Sequence, residues 1–234
     1  SARRQRQMCI RDRFKLVHVF NRSELIEVAT FRSGNNGFND GNLVTDQSGK
    51  IIRDNVWGTL EEDTYRRDFT INALYYCPIT GKIEDHNKGL KHIHNKEIVS
   101  IGDPDLRFEE DPVRSLRAIR FCTKLNFKIS NNIKEAIYKK GHLLSSVSNA
   151  RLFDEFCKIF LNGMAEKNFN KLVSFGLNKY LVSTNLNGCE FSNQLIIEAL
   201  RNTDNRIKNN QSVTPGFLIS ALLWPQLIKK SLKG

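Results

Sequence analysis

The chain has 234 residues, a formal net charge of +11 at neutral pH and 5 cysteines. This length allows a buried core in one or two domains, and the distributed positive charge favours a polyanionic partner such as nucleic acid. The cysteines have no paired spacing, which argues against a disulfide framework or a zinc site and indicates reduced thiols. The longest apolar run, residues 216–225, is too short to cross a bilayer, so we expect a cytoplasmic protein with no membrane partner.

In the first half of the chain, short patterns predict two strands, a helix and a hairpin. Residues 14–20 and 25–31 are rich in valine and isoleucine and predict two strands joined by a polar turn. Residues 33–55 are rich in glycine and asparagine, which indicates a mobile or functional loop. The sequence TLEE at 59–62 forms a capping box that begins a helix. Beyond it, a hairpin is predicted to turn at Ile79–Lys82.

From Pro112 onward the pattern is almost wholly helical. Asp111 is a suitable N-cap, and Pro112 suits the first helical position because its missing N–H costs nothing there. Ser130 and Asn149 are predicted to cap two further helices. The second of these has an apolar stripe made of Leu152, Phe153, Phe156, Ile159 and Phe160. More helices are predicted at about 166–176, 191–202 and 215–229.

These elements predict an α+β fold, in which a small mixed sheet with helices is followed by an all-helical part. Residues 1–12 have no periodicity, and we expect them to be a non-native or unstructured leader. The predicted domains are a head at 13–105, a helical neck at 106–165 and a helical body at 166–234.

Two features raise the question of a metal site. Glu27 lies among apolar and β-branched neighbours, where a carboxylate is costly unless it is exposed, paired or bound to a cation. It is either a glutamate on a solvated sheet face or a metal-ligating carboxylate at the rim of an active-site sheet. His92 and His94 have no evident third ligand nearby, so we expect exposed loop histidines.

Two charged motifs suit a phosphorylated ligand. The sequence RRDF at 66–69 places two guanidinium groups beside a carboxylate, which suits phosphate and ribose oxygens but is also common on helix surfaces. Asp111 and Arg114 lie one helical turn apart. Two more arginines follow at spacings of three, Arg117 and Arg120. This helix carries either a solvated basic face or an acceptor and a donor that face one small ligand.

Taken in order, the motifs of residues 13–165 resemble the class II tRNA nucleotidyltransferase and bacterial poly(A) polymerase superfamily. They read IEVATFR, RRDFTINALYY, IEDHNKGL, IGDPDLRFEEDPVRSLRAIRF and KLNFKIS. Residues 200–225 are similar to the body of bacterial poly(A) polymerases rather than to that of CCA-adding enzymes. The resemblance implies a partial nucleotidyltransferase head, a neck that binds nucleotide and RNA, and a truncated body.

The implied activity is template-independent transfer of AMP from ATP to RNA 3′ ends, with release of pyrophosphate and with Mg²⁺ as cofactor. Such tailing of mRNA promotes RNA decay, which makes the RNA-decay machinery a candidate partner beside ATP and RNA 3′ ends. The residues that match nucleotide-binding motifs are Arg66, Arg67, Asp68, Asp111 and Arg114. Of these, Asp111 and Arg114 match the pair that reads the incoming base. The residues expected to form or support the head–neck element are Asp85, Arg117 and Arg120.

One departure from the family pattern concerns the metal site. The family's Gly-rich element and Asp-x-Asp pair, which holds Mg²⁺, lie upstream of the strand that begins here at Phe14, where Asp12 stands alone. We therefore expect a product truncated at both ends that is inactive by itself. Glu27 matches the strand carboxylate that assists the pair in catalysis and metal binding. Two alternatives stay open: a CCA-adding tRNA nucleotidyltransferase and a noncatalytic RNA-binding relative.

Overall fold

The computed structural model describes residues 8–11, 16–21, 24–33, 57–181 and 190–231. The chain divides into two compact units, which are described separately. The first unit comprises Ser1–Arg67 and Asn72–Gly89, and the second comprises Asp68–Ile71 and Leu90–Gly234. No helix in the described ranges is long and apolar enough to cross a bilayer.

The first unit contains a three-stranded antiparallel sheet with the order β1-β2-β3. Its strands are β1 (Met8–Arg11), β2 (Leu16–Asn21) and β3 (Glu24–Ala29). β2 and β3 confirm the two predicted strands. The prediction of an unstructured leader is wrong for Met8–Arg11, because this short segment with three apolar residues pairs in register with β2. The predicted loop lies, apart from Ser33, outside the described residues.

The helix α1 (Leu60–Tyr65) begins with the predicted capping box. The Thr59 hydroxyl accepts the Glu62 N–H at 3.2 Å, and the Glu62 carboxylate accepts the Thr59 N–H at 2.7 Å. The predicted hairpin is also confirmed, since β4 (Tyr75–Cys77) and β5 (Lys82–Glu84) pair antiparallel. Gly81 closes this hairpin with a φ of +67°, which glycine adopts without a steric cost.

We expect the Thr59→Ala substitution to lower the free energy of unfolding by about 1 kcal/mol, because the first turn of α1 loses a capping acceptor. Urea denaturation followed by circular dichroism measures this change. The Thr59→Ser variant keeps the hydroxyl and is the matched control, with stability near that of the original chain. Equal destabilisation by both substitutions would show that the hydroxyl is not the stabilising group.

The second unit is mostly helical in its described part. Its helices are α2 (Gly89–His94, with Gly89 in the first unit), α3 (Pro104–Glu110), α4 (Val113–Leu125), α5 (Asn131–Lys140), α6 (Asn149–Phe160), α7 (Ala165–Ser174), α8 (Asn178–Leu181), α9 (Glu190–Lys208) and α10 (Pro215–Ser231). A 3₁₀ helix covers Gly141–Ser146, and a second one covers Thr70–Asn72 at the boundary of the two units. Two short strands, β6 (Glu97–Ile98) and β7 (Lys128–Ile129), pair in parallel. The helices predicted at about 166–176, 191–202 and 215–229 are thus confirmed as α7, α9 and α10.

The core of the second unit forms around α4, which packs against α3, α6, α7 and the β6–β7 pair. Leu116 and Ile119 of α4 are fully buried. Phe69 is also fully buried there, because the segment that contains it is hydrogen-bonded to the strand-like residues 99–101. This anchoring fixes the backbone of the residue that precedes Phe69, which is Asp68.

Several local predictions need correction. α4 begins at Val113 with Pro112 at the N-cap, one residue later than predicted, although the Asp111 carboxylate still accepts the Val113 N–H at 3.3 Å. Ser130 is confirmed as the N-cap of α5, whereas Asn149 is the first residue of α6 and Ser148 is its N-cap.

Two side-chain placements also differ from the prediction. Phe153 was predicted to belong to the apolar stripe of α6, but it is exposed. Its position on α6 lies beside the buried face rather than in it. His92 and His94 lie on α2 rather than in a loop. A hydrogen bond of 2.9 Å joins His92 Nδ1 and the Thr70 hydroxyl.

Candidate nucleotide-binding site

A buried carboxylate in the first unit holds two arginines. Asp63, on α1, is 2% exposed. Its Oδ1 accepts hydrogen bonds from Nε and Nη2 of Arg66, at 2.7 and 2.5 Å, and from the Arg32 backbone N–H at 3.1 Å. Its Oδ2 accepts from Nε and Nη2 of Arg67, at 3.2 and 2.9 Å, and from the Tyr75 hydroxyl. We call Asp63, Arg66, Arg67 and Tyr75 the Asp63 cluster.

The charges of the Asp63 cluster are fixed at neutral pH. Burial alone would raise the pKa of Asp63, but the hydrogen bonds from Tyr75, Arg66 and the other donors lower it from 3.8 to about 2. Burial and the hydrogen bond to Asp63 raise the pKa of Tyr75, which therefore stays neutral. Two guanidinium groups and one carboxylate then leave one net positive charge, which suits an anionic ligand.

A second carboxylate, in the second unit, also holds two arginines. Asp68 Oδ1 accepts from Arg114 Nε, and Asp68 Oδ2 accepts from Arg117 Nη1, both at 2.8 Å. Nη1 of Arg114 donates to the Glu110 carboxylate at 2.8 Å and to the Arg107 carbonyl at 2.7 Å. We call Asp68, Glu110, Arg114 and Arg117 the Asp68 cluster. It combines one predicted phosphate-motif residue with one predicted base-reading residue.

Burial opposes the ionised form of Asp68, but the hydrogen bonds and charges of Arg117 and Arg114 lower its pKa below the ordinary value. The pKa of Arg117 is raised, because its ion pairs with Asp68 and Glu155 outweigh the effect of burial. Asp68 and Arg117 are therefore ionised at neutral pH, and the Asp68 carboxylate fixes the orientation of both guanidinium groups.

Arg151 forms an ion pair with Asp111, and no sequence motif indicated this arginine. Its Nη2 donates to both carboxylate oxygens of Asp111 at 3.0 Å. Arg151 lies on α6, 40 residues from Asp111, so no local pattern reveals the contact. Asp111 and Arg114, predicted to act as one pair, are thus oriented by different partners.

Arg117 links the Asp68 cluster to α6. Its Nε lies 3.5 Å from Glu155 Oε1, which also accepts from Lys158 at 2.9 Å. Glu155 is 2% exposed, and a carboxylate buried to this extent is costly unless such cationic partners contact it. Arg120 has no such acceptor for its buried Nε among the described residues, and its guanidinium lies 4.5 Å from the Phe121 ring centroid. Arg117 thus contacts two acids, Asp68 and Glu155, whereas the supporting roles of Arg117 and Arg120 both stay predictions.

The remaining predicted residues lie in the first unit. Asp85 Oδ1 accepts the N–H groups of Asn87 and Gly89, at 3.3 and 2.7 Å, so it orders the turn before α2. The Glu27 side chain is 61% exposed and lies 3.4 Å from His18 Nε2. This is the geometry of a glutamate on a solvated sheet face, the first of its two interpretations.

The described residues do not fit a magnesium site. They contain no group of three or more histidine, cysteine, aspartate or glutamate side chains that could hold a metal ion. Asp103 and Asp105 have Asp-x-Asp spacing, but Asp103 caps α3 and Asp105 forms an ion pair with Lys139. The described part of the chain therefore supplies no set of ligands for Mg²⁺.

Two family profiles match the chain. The first, "Poly A polymerase head domain", matches residues 1–99. The second, "Probable RNA and SrmB- binding site of polymerase A", matches residues 126–184. The first range contains the Asp63 cluster, and the second contains Arg151 and Glu155.

Individual proteins that resemble the chain are poly(A) polymerases and CCA-adding enzymes. Poly(A) polymerase I of Salmonella typhi is 40% identical over 228 residues, which are 94% of this chain and 49% of that protein. The CCA-adding enzyme of Bacillus pumilus is 40% identical over 116 residues, which are 50% of this chain and 29% of that protein. The crystal structure of the Bacillus stearothermophilus CCA-adding enzyme in complex with CTP matches with a TM-score of 0.60 and 29% identity, over 85% of this chain and 44% of that one. The chain spans about half the length of the poly(A) polymerase relatives it matches.

Proposed function

Because this chain is a homologue of poly(A) polymerase I, with class II nucleotidyltransferase head and RNA-binding domains, we propose that it is the part of a polynucleotide adenylyltransferase that selects ATP. The complete protein would add AMP from ATP to RNA 3′ ends without a template. In this proposal, Arg66, Arg67 and Asp68 bind the ribose and triphosphate, and Asp111 and Arg114 read the base.

The hydrogen-bonding groups left open on Asp111 and Arg114 carry this proposal. Nε and Nη1 of Arg114 are occupied, whereas its Nη2 donates to no other described residue. Asp111 Oδ1 accepts from Arg151 and from the Val113 N–H, and Oδ2 accepts from Arg151 alone among the described residues. Since a carboxylate has about four acceptor positions, one position on Oδ2 stays open.

One open acceptor and one open donor complement the Watson–Crick edge of adenine. The amino group at N6 would donate to Asp111, and N1 would accept from Arg114. Guanine and uracil present the reverse order of donor and acceptor, so the pair rejects them. Cytosine has the same order as adenine, with N4 as donor and N3 as acceptor. The pair therefore explains rejection of GTP and UTP, while discrimination against CTP needs further contacts.

Two experiments test this function. Equilibrium dialysis of this chain with the four ribonucleoside triphosphates should give tighter binding of ATP and CTP than of GTP and UTP. Primer extension by the protein from the complete open reading frame, with Mg²⁺ and an RNA oligonucleotide, should incorporate ATP repeatedly. Incorporation of CTP followed by ATP on tRNA would instead identify a CCA-adding enzyme, the class of two of the matched proteins.

We expect this chain alone to extend no primer, because its described residues contain no site that fits Mg²⁺. Robust extension by the chain alone would contradict that expectation. Absence of any nucleotide binding, by the chain and by the complete protein, would contradict the proposed function and favour a noncatalytic RNA-binding relative.

RNA affinity of the chain should fall steeply with added salt, because the net charge of +11 favours contacts with phosphates that release counterions. Between 50 and 200 mM NaCl we expect a loss of about tenfold or more in affinity for a single-stranded oligonucleotide. Fluorescence anisotropy measures this loss. An uncharged peptide nucleic acid of the same base sequence is the control, and equal affinity for both polymers would contradict a phosphate-directed RNA surface.

A further inference from the structure

Among the described residues of the first unit, Asp63 is the most deeply buried charged residue, and the proposed function gives it no role. The residue is 2% exposed, while the side chains of Arg66 and Arg67 are 33% and 37% exposed. A buried carboxylate is costly unless donors surround it, and here three side chains and one backbone N–H converge on its two oxygens. The Asp63 carboxylate is therefore buried, and the two guanidinium groups that surround it are partly exposed.

The hydrogen bonds also restrict how each arginine can turn. Each guanidinium donates from both Nε and Nη2 to a single carboxylate oxygen, Arg66 to Oδ1 and Arg67 to Oδ2. Arg67 is held further by Tyr75, because its Nε donates to the phenol oxygen at 2.9 Å and its guanidinium lies 5.1 Å from the ring centroid. An arginine fixed in this way loses less conformational entropy when an anion binds.

We propose that Asp63 is a positioning residue that holds Arg66 and Arg67 in the orientation in which they bind the triphosphate. This inference rests on the proposed function, in which the two arginines contact the phosphates. In this inference, the negative charge of Asp63 favours the binding of an anion, because it orients the two arginines. The alternative is that Asp63 only stabilises α1, and the two possibilities predict different results.

The test compares Asp63→Asn with Glu61→Gln, measured as dissociation constants for ATP and for adenosine. Glu61 is an exposed acid two residues away on α1, so both substitutions remove one negative charge from the same helix. Electrostatic attraction alone predicts that both variants bind ATP more tightly. If Asp63 positions the arginines, Asp63→Asn weakens ATP binding by about tenfold or more, as loss of a supporting contact does in metal sites. The affinity of Asp63→Asn for adenosine should stay near the original value. The affinities of Glu61→Gln for ATP and for adenosine should also stay near the original values.

Arginine Nε–H resonances in ¹⁵N NMR spectra of the original chain give an independent readout. The resonances of Arg66 and Arg67 should exchange with water more slowly than that of the exposed Arg201, and should shift when inorganic tripolyphosphate is added. Tyr75→Phe removes one donor to Asp63 and keeps the ring, so it should weaken ATP binding to a smaller extent. Tyr75→Phe therefore still tests the positioning role if the Asp63→Asn variant does not fold.

Outcomes that overturn the positioning role differ from those that overturn the function. If the original chain binds ATP and tripolyphosphate, but Asp63→Asn and Tyr75→Phe bind both equally well or more tightly, the positioning role is wrong and the function stands. The positioning role is also wrong if ATP and adenosine affinities fall by the same factor, since that is the effect of partial unfolding. If neither the original chain nor the complete protein binds ATP or tripolyphosphate, the proposed function itself is wrong.

Discussion

We expect the Arg114→Ala substitution to remove the proposed preference of this chain for ATP over GTP and UTP. Nη2 of Arg114 supplies the donor of the proposed base-reading pair, and its loss leaves N1 of adenine without a partner. Leaving a buried hydrogen-bonding group without a partner costs about 1–3 kcal/mol, which corresponds to roughly a 5- to 150-fold weaker affinity for ATP. Dissociation constants for the four nucleoside triphosphates and for an RNA oligonucleotide measure the effect.

Two variants control for the loss of charge and for the loss of packing. Arg201→Ala removes an arginine with two ion pairs, to Glu166 and Glu198, from the exposed surface of α9 and should leave nucleotide preference unchanged. Arg114→Lys keeps a charge beside Asp68 but lacks the planar fork, so discrimination should be only partly retained. Equal losses for all four nucleotides and for RNA in Arg114→Ala would show that Arg114 is structural.

The Asp68→Asn substitution should lower the free energy of unfolding by about 3 kcal/mol at pH 7, because two partly buried guanidinium groups lose their shared carboxylate. The Asp68 side chain is 17% exposed, so solvent moderates the effect. Urea denaturation measures the change. Glu198→Gln removes an exposed carboxylate that pairs with one arginine, and it should unfold at the same urea concentration as the original chain.

The dependence of this loss on pH has a definite sign. The folded-state pKa of Asp68 is lowered, so its contribution to stability is present above the ordinary carboxyl pKa of 3.8 and disappears as the pH falls below it. The unfolding curves of the original chain and Asp68→Asn should therefore converge in acid. Curves that stay separated by the same amount at every pH would show that the charge of Asp68 does not stabilise the fold.

Local patterns in the sequence predicted local structure well. The capping box of Thr59 and Glu62 and the hairpin around Gly81 depend on residues a few positions apart, so spacing alone reveals them. The start of α4 was predicted one residue early, because an aspartate before a proline has the same appearance whether it caps the helix or precedes the cap. The strand β1 was missed because a single short apolar run gives no periodicity until its partner is known.

The charged partners could not be predicted in this way. The motifs identified Asp68, Asp111 and Arg114, but the ion pairs of Asp68 and Asp111 join residues 40 to 49 positions apart along the chain. Folding brings these groups together, and many acids and arginines in the sequence would satisfy the same chemistry. Asp63 was overlooked for a different reason. It lies in a charged run typical of a solvated helix surface, and only its burial distinguishes it from Glu61 and Glu62.

The contact of Arg117 with both Asp68 and Glu155 has a consequence for protein engineering. Consider a chimera in which only residues 110–117 come from a relative. It would contain the arginines of the relative but keep Asp68 and Glu155, the acids that orient Arg117 in this chain. Asp68 and Glu155 lie far outside that exchanged segment, as does Arg151. The proposed choice of nucleotide is thus expected to transfer as a set of three separated segments, and transplanting the short motif by itself should give poor discrimination among nucleotides.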